Sequence, residues 1–400
     1  MNRSRARCCI RRCSRDRGAG SQYTARSTCV QQTPLERTPM TDQHLESTAA
    51  RDDAAPHPDH DSKPDSPGKL KGQSWGYVFK RALSEFTKDG CTDLAASLTY
   101  FAVLSVFPAL LALVSLLGVF GQGEATTKAI LDFLNQYAPS ALVELLSDPI
   151  SQLTTQSGAG LALVVGIVGA LWTASGYTGA FSRALNRIYE VSEGRPFWKL
   201  KPVMLLVTLI VVLIVAAVMV MVLLSGDLAQ TLGDAVGLGS TAVTVWNWVK
   251  IPVVLLLLVL LIAILFYATP NVQQPKFRWM SPGAAISLVF MIVAGLAFAF
   301  YVANFAKYNA TYGVIGSVII LLLGLWIMNN ALLFGAEVDA ELERGRQLQG
   351  GIRAEETIQL PPRDTAQVEK LRAKEEKLEA EGRKIRLHTE HVDYSKPSQD

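Results

Sequence analysis

The sequence predicts an all-α integral membrane protein with six transmembrane helices and both termini on the cytoplasmic side (N-in/C-in). Three observations carry that reading. Half of the 400 residues are hydrophobic and only 18% are charged. Six apolar runs of about 18–27 residues hold no Asp, Glu, Lys, Arg or His, and ~20 apolar residues of helix span a bilayer core. Basic residues then crowd alternate connections between the runs, which is the positive-inside pattern.

In chain order, residues 1–39 are rich in Arg, Cys and Ser and have no apolar core of a signal peptide, so they are not a secretory leader. Translation is expected to start at Met40. The acidic, Pro-rich stretch that follows has the composition of a disordered tail, and residues 1–74 are assigned to that tail. Cys8, Cys9, Cys13 and Cys29 include no CxxC pair, so no metal site is expected there. The membrane domain is placed at 75–345, with helices at about 94–120, 158–182, 202–226, 250–268, 282–304 and 313–336. Each must be helical because backbone polar groups in hydrocarbon need internal partners, and the runs lack the alternation of barrel strands. Residues 346–400 form a charged cytoplasmic tail, with a short helix expected over Asp364–Leu387 from Glu/Lys neighbours at helical spacing.

Orientation follows from the connections. Lys69, Lys71, Lys80, Arg81 and Lys88 precede the first helix, and Arg183, Arg187, Arg195, Lys199 and Lys201 fill the second connection. Lys276 and Arg278 lie in the fourth, and Arg344 and Arg346 open the tail. The first, third and fifth connections carry only Lys128, Lys250 and Lys307. The first connection also holds apolar residues at helical spacing (Ile130, Phe133, Leu134, Tyr137, then Leu142, Leu145, Leu146, Ile150, Leu153). It is read as two short amphipathic helices lying on the outer leaflet or packed on the bundle.

The chemistry-bearing residues point away from an enzyme. All five histidines sit in the polar tails, and HExxH, CxxC and a Walker phosphate loop are missing from the sequence. No catalytic residue, cofactor, metal or nucleic-acid partner is therefore expected. Glu337, Asp339, Glu341 and Glu343, followed by Arg344 and Arg346, read as a solvated helix end. The apolar runs carry no midplane charge of the kind that ion-coupled transport uses. Uncharged polar groups do cluster: Ser97, Thr99 and Tyr100; Trp172, Thr173, Ser175 and Tyr177; Asn304, Tyr308, Asn309, Thr311 and Tyr312; Asn329 and Asn330. These side chains act either as interfacial belts and helix glue or as the lining of a path. Ala162, Gly166, Ala170, Ala174 and Thr178 recur every fourth residue, a small-residue ridge that admits a close neighbour. Past it, Arg183, Asn186 and Arg187 share a helical face by their spacing, suited to an anionic headgroup or phosphate.

Three stretches carry a family resemblance: "DLAASLTYFAVLSVFPALLALVSLLG" (93–118), "LWTASGYTGAFSRALNRIYEVSEGRPFWK" (171–199), and 278–343 with "YNATYGVIG" and "GAEVDAELE". Together, over about residues 75–345, the chain resembles the YihY/BrkB family of bacterial inner-membrane proteins. The resemblance implies six transmembrane helices in a bacterial plasma membrane. The family has carried a ribonuclease label regarded as a misannotation, and its ties to virulence and envelope lipids imply transport or scaffolding. The matching positions here are Tyr100, Pro108, Trp172, Ser175, Gly176, Asn186, Tyr308, Tyr312, Gly313 and Glu337; Asp339 stands where the family often has Asn.

The expected function is to transport or bind an anionic, amphiphilic envelope component such as a lipid. Arg183, Asn186 and Arg187 are expected to contact its headgroup. Tyr100, Trp172, Tyr308, Tyr312 and Asn330 are expected to line its path, and Glu337 to orient an inner gate. The expected partners are membrane lipids and a second copy in a homo-oligomer. The alternative is a non-transporting scaffold whose tail recruits partners, and a membrane enzyme is third.

Overall fold

A computed structural model describes residues 48–51, 54–64, 69–119, 159–223, 240–275, 282–305 and 308–388. The leader before Met40, the amphipathic stretches between 120 and 158, and the side chains of Tyr308 and Tyr312 lie outside the described residues. The helices are α1 (Gly72–Lys88), α2 (Cys91–Val119), α3 (Ala159–Ile188), α4 (Phe197–Leu223), α5 (Ser240–Ala268), α6 (Pro282–Phe305), α7 (Tyr308–Gln349) and α8 (Ala366–His388). Among the described residues the one β pairing is an isolated antiparallel bridge between Val272 and Pro362. The protein is all-helical, and four helices are long and apolar enough to cross a membrane: Phe197–Val222, Val243–Ala268, Pro282–Asn304 and Val318–Gln349.

α2 to α7 pack around a closed ring. α2 lies on α3, α3 on α4, α4 on α5, α5 on α6, α6 on α7, and α7 returns to α2. α3 also touches α5 and α7, and its small residues explain why. A side chain at Gly176 would stand 3.1 Å from the Phe101 ring of α2. On another face of α3, Thr178 shares a 2.7 Å hydrogen bond with Thr208 of α4. Thr178, the last residue of the ridge read from the sequence, thus meets α4, while the approach of α2 falls at Gly176, outside that ridge. The α6–α7 contact is tighter still. A Cβ on Gly283 would come within 2.5 Å of both Asp339 Cβ and the Gly335 carbonyl, and one on Gly335 would fall on the Ser287 hydroxyl. Without a hydrophobic drive between helices in lipid, such backbone proximity supplies the attraction through dispersion.

One end of the ring is capped. α1 is amphipathic, burying Val78 and Ala82 against Val338 and Leu342 of α7, with Trp75 packed alongside. α7 runs on to Gln349, thirteen residues past the expected boundary at Ala336. This overturns the reading of Glu337–Arg346 as a solvated helix end: Glu337, Glu341, Glu343 and Arg344 are buried. They can be buried because each meets an opposite charge or donor from distant sequence. Arg344, 1% exposed, donates through Nε to both Glu341 oxygens at 2.9 Å, through Nη2 to Glu190 at 3.1 Å, and through Nη1 to the Ala354 carbonyl. Lys63 pairs with Glu343 at 2.9 Å, Arg346 with the same carboxylate at 2.6 Å, and Arg81 lies near Glu341.

The segments flanking the ring close over this end. Composition alone assigns residues up to 74 to a disordered tail, yet Thr48, Arg51 and Lys63 are buried. Arg51 donates to the carbonyls of Tyr189, Glu190 and Ile358. Burial lowers its pKa to about 10, opposed by Glu190, so it stays cationic at neutral pH. After α7 the chain turns at Gly351 and lays Ala354, Ile358 and Leu360 into the core. It then pairs with the end of α5 through Gln273 N–H to the Pro361 carbonyl and Arg363 N–H to the Asn271 carbonyl.

Two helix ends show the same closure with different residues. α7 ends on Gly351 at φ 78°, with Ile352 N–H bonding the Gln347 carbonyl and Gly351 N–H the Leu348 carbonyl. α3 ends on the same pair of bonds, Val191 to Asn186 and Glu190 to Arg187, but the left-handed residue is Glu190 at φ 54°. Glycine is usual there, and a glutamate costs about 1 kcal/mol. Its carboxylate meets Arg344 and its carbonyl meets Arg51, which offsets that strain.

Two outcomes follow. Arg344→Ala strands the buried Glu341 carboxylate and the half-buried Glu190 carboxylate, and should destabilise by about 3–5 kcal/mol, read as a large drop in melting temperature in detergent. Gly335→Ala should cost about 1–3 kcal/mol through overpacking, whereas Ala at exposed Gly382 of α8, with open space around it, should leave the melt unchanged or slightly raise it.

Candidate functional site

α3 presents its sequence-marked residues on two different sides. Arg183 and Arg187 are exposed, while Asn186 is buried. The Asn186 amide donates to Glu193 at 2.9 Å and its oxygen accepts from the Asn271 N–H at 2.7 Å. Glu193 in turn holds Arg195, which also reaches the Ser182 hydroxyl and the Thr269 carbonyl. Asn186 therefore joins α3 to the end of α5 and is not brought together with the two arginines.

Two cations of this region, exposed Arg183 and half-buried Lys201, are propped on aromatic rings. The Arg183 guanidinium stands 5.7 Å from the centre of the Phe101 ring, and Tyr100, 60% exposed, packs edge-on to Phe101 at 5.3 Å. Lys201 Nζ lies 4.1 Å over the Trp172 ring and donates to Ser175 Oγ at 2.5 Å. Trp172 is 55% exposed. A cation over an aromatic face gains about 0.5–2 kcal/mol, more where water is scarce, and neither contact consumes the cation's capacity to meet an anion. Eleven residues separate Trp172 from Arg183, or about 16 Å along α3 at 1.5 Å per residue. The two cation–aromatic pairs thus stand at two levels of one helix. Lys201 was missed as a site residue because it ends the basic connection by sequence; α4 begins at Phe197, so it is already helical.

A second set of polar groups runs between α2, α3 and α7. Tyr177 Oη donates to Asn329 Oδ1 at 2.9 Å, and the Asn329 amide donates to Thr99 Oγ1 at 3.1 Å. Trp326 Nε1 donates to the Thr92 carbonyl. Nearer the capped end, the Cys91 thiol donates to Glu337 Oε1 at 3.3 Å. Asn330 bonds back to the Trp326 carbonyl of its own helix. These bonds cross-link three ring helices, each worth about 0.6–2 kcal/mol. Glu337 is 1% exposed, deep in the interface where α1, α2 and α7 meet.

Asp89, in the turn between α1 and α2, sits beside this group. Burial first, and repulsion from Glu85 second, lift its carboxyl to about 6, with Arg187 pulling the other way. Among the described residues, no three His, Cys, Asp or Glu side chains converge as metal ligands do.

A ring of apolar helices with cations on aromatic supports is the arrangement of a multi-pass membrane protein. The chain belongs to the Virulence factor BrkB family, which it matches over residues 82–358. It is similar to the ribonuclease-like protein YfkH of Bacillus subtilis, 29% identical over 269 residues that cover 67% of this chain and 96% of that one. It is also similar to a UPF0761 membrane protein of Rhodospirillum centenum, 28% identical over 284 residues, 67% of this chain and 58% of the relative. A UPF0761 membrane protein of Aggregatibacter aphrophilus is 24% identical over 267 residues, 65% of this chain and 90% of that one. The chain thus spans well under two thirds of the Rhodospirillum relative. No solved structure matches it.

The turn at Asp89 gives a pH prediction. Its folded pKa of about 6 lies above the ordinary 3.8, so the folded state favours the protonated form. Stability from this group is full below pH ~4 and is lost as pH rises through 6. Asp89→Asn should therefore stabilise at pH 7.5 by on the order of 1 kcal/mol, and melts repeated at pH 4.5 should show the gain shrinking toward zero.

Proposed function

We propose that α2 to α7 all cross a bacterial inner membrane, with the capped end cytoplasmic, and that the ring binds and moves an anionic amphiphile, a lipid or lipid precursor. Positive-inside counting supports the orientation, since the basic connections gather at the capped end. The single observation carrying the function is the pair of cation–aromatic contacts at two levels of α3, Arg183 with Phe101 and Lys201 with Trp172.

In this reading a phosphate headgroup meets Arg183 near the cytoplasmic surface, with exposed Arg187 raising the local positive potential. It then passes toward Lys201, four residues into α4, where the ammonium meets the Trp172 ring. The aromatic faces hold each cation in place between visits, and Ser175 fixes the Lys201 ammonium by accepting a hydrogen bond from it. The acyl chains stay outside, against exposed Leu104, Val168 and Leu206. Glu337 and Asn186 position helices from behind. Tyr100 and Trp172 line the route, and Tyr308, Tyr312 and Asn330 are carried from the sequence as candidates further along it. The function is binding and movement without covalent chemistry.

The alternative is a scaffold in which Tyr177, Asn329 and Thr99 only lock helices together and α8 recruits partners. Purified chain in liposomes with fluorescent anionic and neutral phospholipids separates the two. Transport predicts movement of the anionic lipid that falls about tenfold in Lys201→Gln and in Arg183→Gln, an effect of ~1.4 kcal/mol, at equal insertion and unchanged melting. Arg187→Ala should reduce it less. A wild-type chain that moves neither lipid rejects transport in favour of the scaffold.

A further inference from the structure

α8 is a 23-residue helix whose root is built into the body. Val368 is fully buried, Gln367 N–H bonds the Gly194 carbonyl, and Asp364 meets Lys199 and Asn271. Beyond that root, Leu371, Leu378 and Ile385 recur every seven residues and are 37%, 55% and 70% exposed. This line of large apolar side chains on an otherwise charged helix is a half-made interface.

We infer that α8 pairs with the α8 of a second copy of this chain as a parallel, in-register two-stranded coiled coil. Three features select that occupant. With Val368 at heptad position a, Leu371, Leu378 and Ile385 fall at d, and parallel pairing stacks each on its own counterpart. Antiparallel pairing would set them against Gly382, Glu375 and a Val368 already buried in its own body. The flanking g and e positions then match in sign: Lys374 faces Glu379 of the other copy, and Glu381 faces Arg386, each contact occurring twice by symmetry. The other natural occupant, an anionic bilayer surface, wants a basic border, and here Glu375, Glu379 and Glu381 alternate with Arg372, Lys374 and Arg386 along the apolar line.

Two copies embedded in one membrane have their roots at one level and one orientation, as the in-register pairing requires. Glu375 and Gly382 at a positions keep the coil weak and adjustable. Confinement to the membrane plane raises the effective concentration that so short a helix needs. The pairing is independent of the lipid reading, and either can fail alone.

The test uses the full chain in liposomes at low protein density, with Cys8, Cys9, Cys13 and Cys29 replaced by Ser and buried Cys91 kept. Leu371→Cys, Leu378→Cys and Ile385→Cys are made singly and oxidised with copper phenanthroline. All three should give disulfide dimers. In the Leu378→Cys background, Glu379→Lys should cut the dimer yield at least fivefold, and adding Lys374→Glu should restore it. Three results would overturn the pairing. The first is no dimer at 371 and 385. The second is dimer only when Leu371→Cys chains are mixed with Gly382→Cys chains, which means antiparallel packing. The third is a yield indifferent to the charge exchange, which means random collision.

Discussion

The buried Arg344 is the contact on which the capped end depends. A guanidinium that is 1% exposed has lost its water, and the desolvation of such a group costs several kcal/mol unless paired charges and hydrogen bonds replace it. Here the replacements come from three places: Glu341 one turn earlier on α7, Glu190 at the end of α3, and the Ala354 carbonyl in the returning strap. Satisfying one side chain therefore fixes a ring helix, the long helix and the segment after it in one relative position. Arg51 repeats the arrangement from the other end of the chain, using carbonyls of the same α3 terminus and the same strap. The left-handed Glu190 is the hinge pin common to both.

That constraint separates a stiff end from the lipid-facing remainder. Away from the cap, ring helices meet through small residues, single hydrogen bonds and aromatic contacts, such as Gly176 under Phe101 and Thr178 against Thr208. These are short-range and individually weak, and they can be exchanged as helices slide. The proposed movement of an amphiphile along α3 would use this division: fixed geometry where charges are buried, adjustable geometry where the guest passes.

Most of the helix positions were legible in the sequence, because a run of uncharged apolar residues long enough for a bilayer admits few other structures. α6 differs from its expected 282–304 by a single residue. The cap was not legible. Glu337 to Arg346 look hydrophilic whichever way they face, and the partners that permit their burial, Lys63, Arg81, Cys91 and Glu190, lie up to 280 positions away with no periodicity linking them. Asn186 shows a subtler limit. Spacing of i, i+3 and i+4 puts three residues within a wedge of about 100° on a helix, but the wedge straddles the boundary between body and surface, leaving the arginines outside and the asparagine within. Lys201 escaped notice for a related reason: a run ended by charge is cut at the charge, although the helix is not.

α7 has a mechanical consequence of its own. Its 42 residues contain no proline, whereas α4 and α5 carry Pro202 and Pro252, and at 1.5 Å per residue it is a rod of about 63 Å. Tilting such a rod by about 5° swings one end against the other by roughly 5 Å, the spacing of one helical turn. Its last three turns are clamped by ion pairs and its glycine contact with α6 sits just before them, so any tilt of the rod loads that clamp as torque.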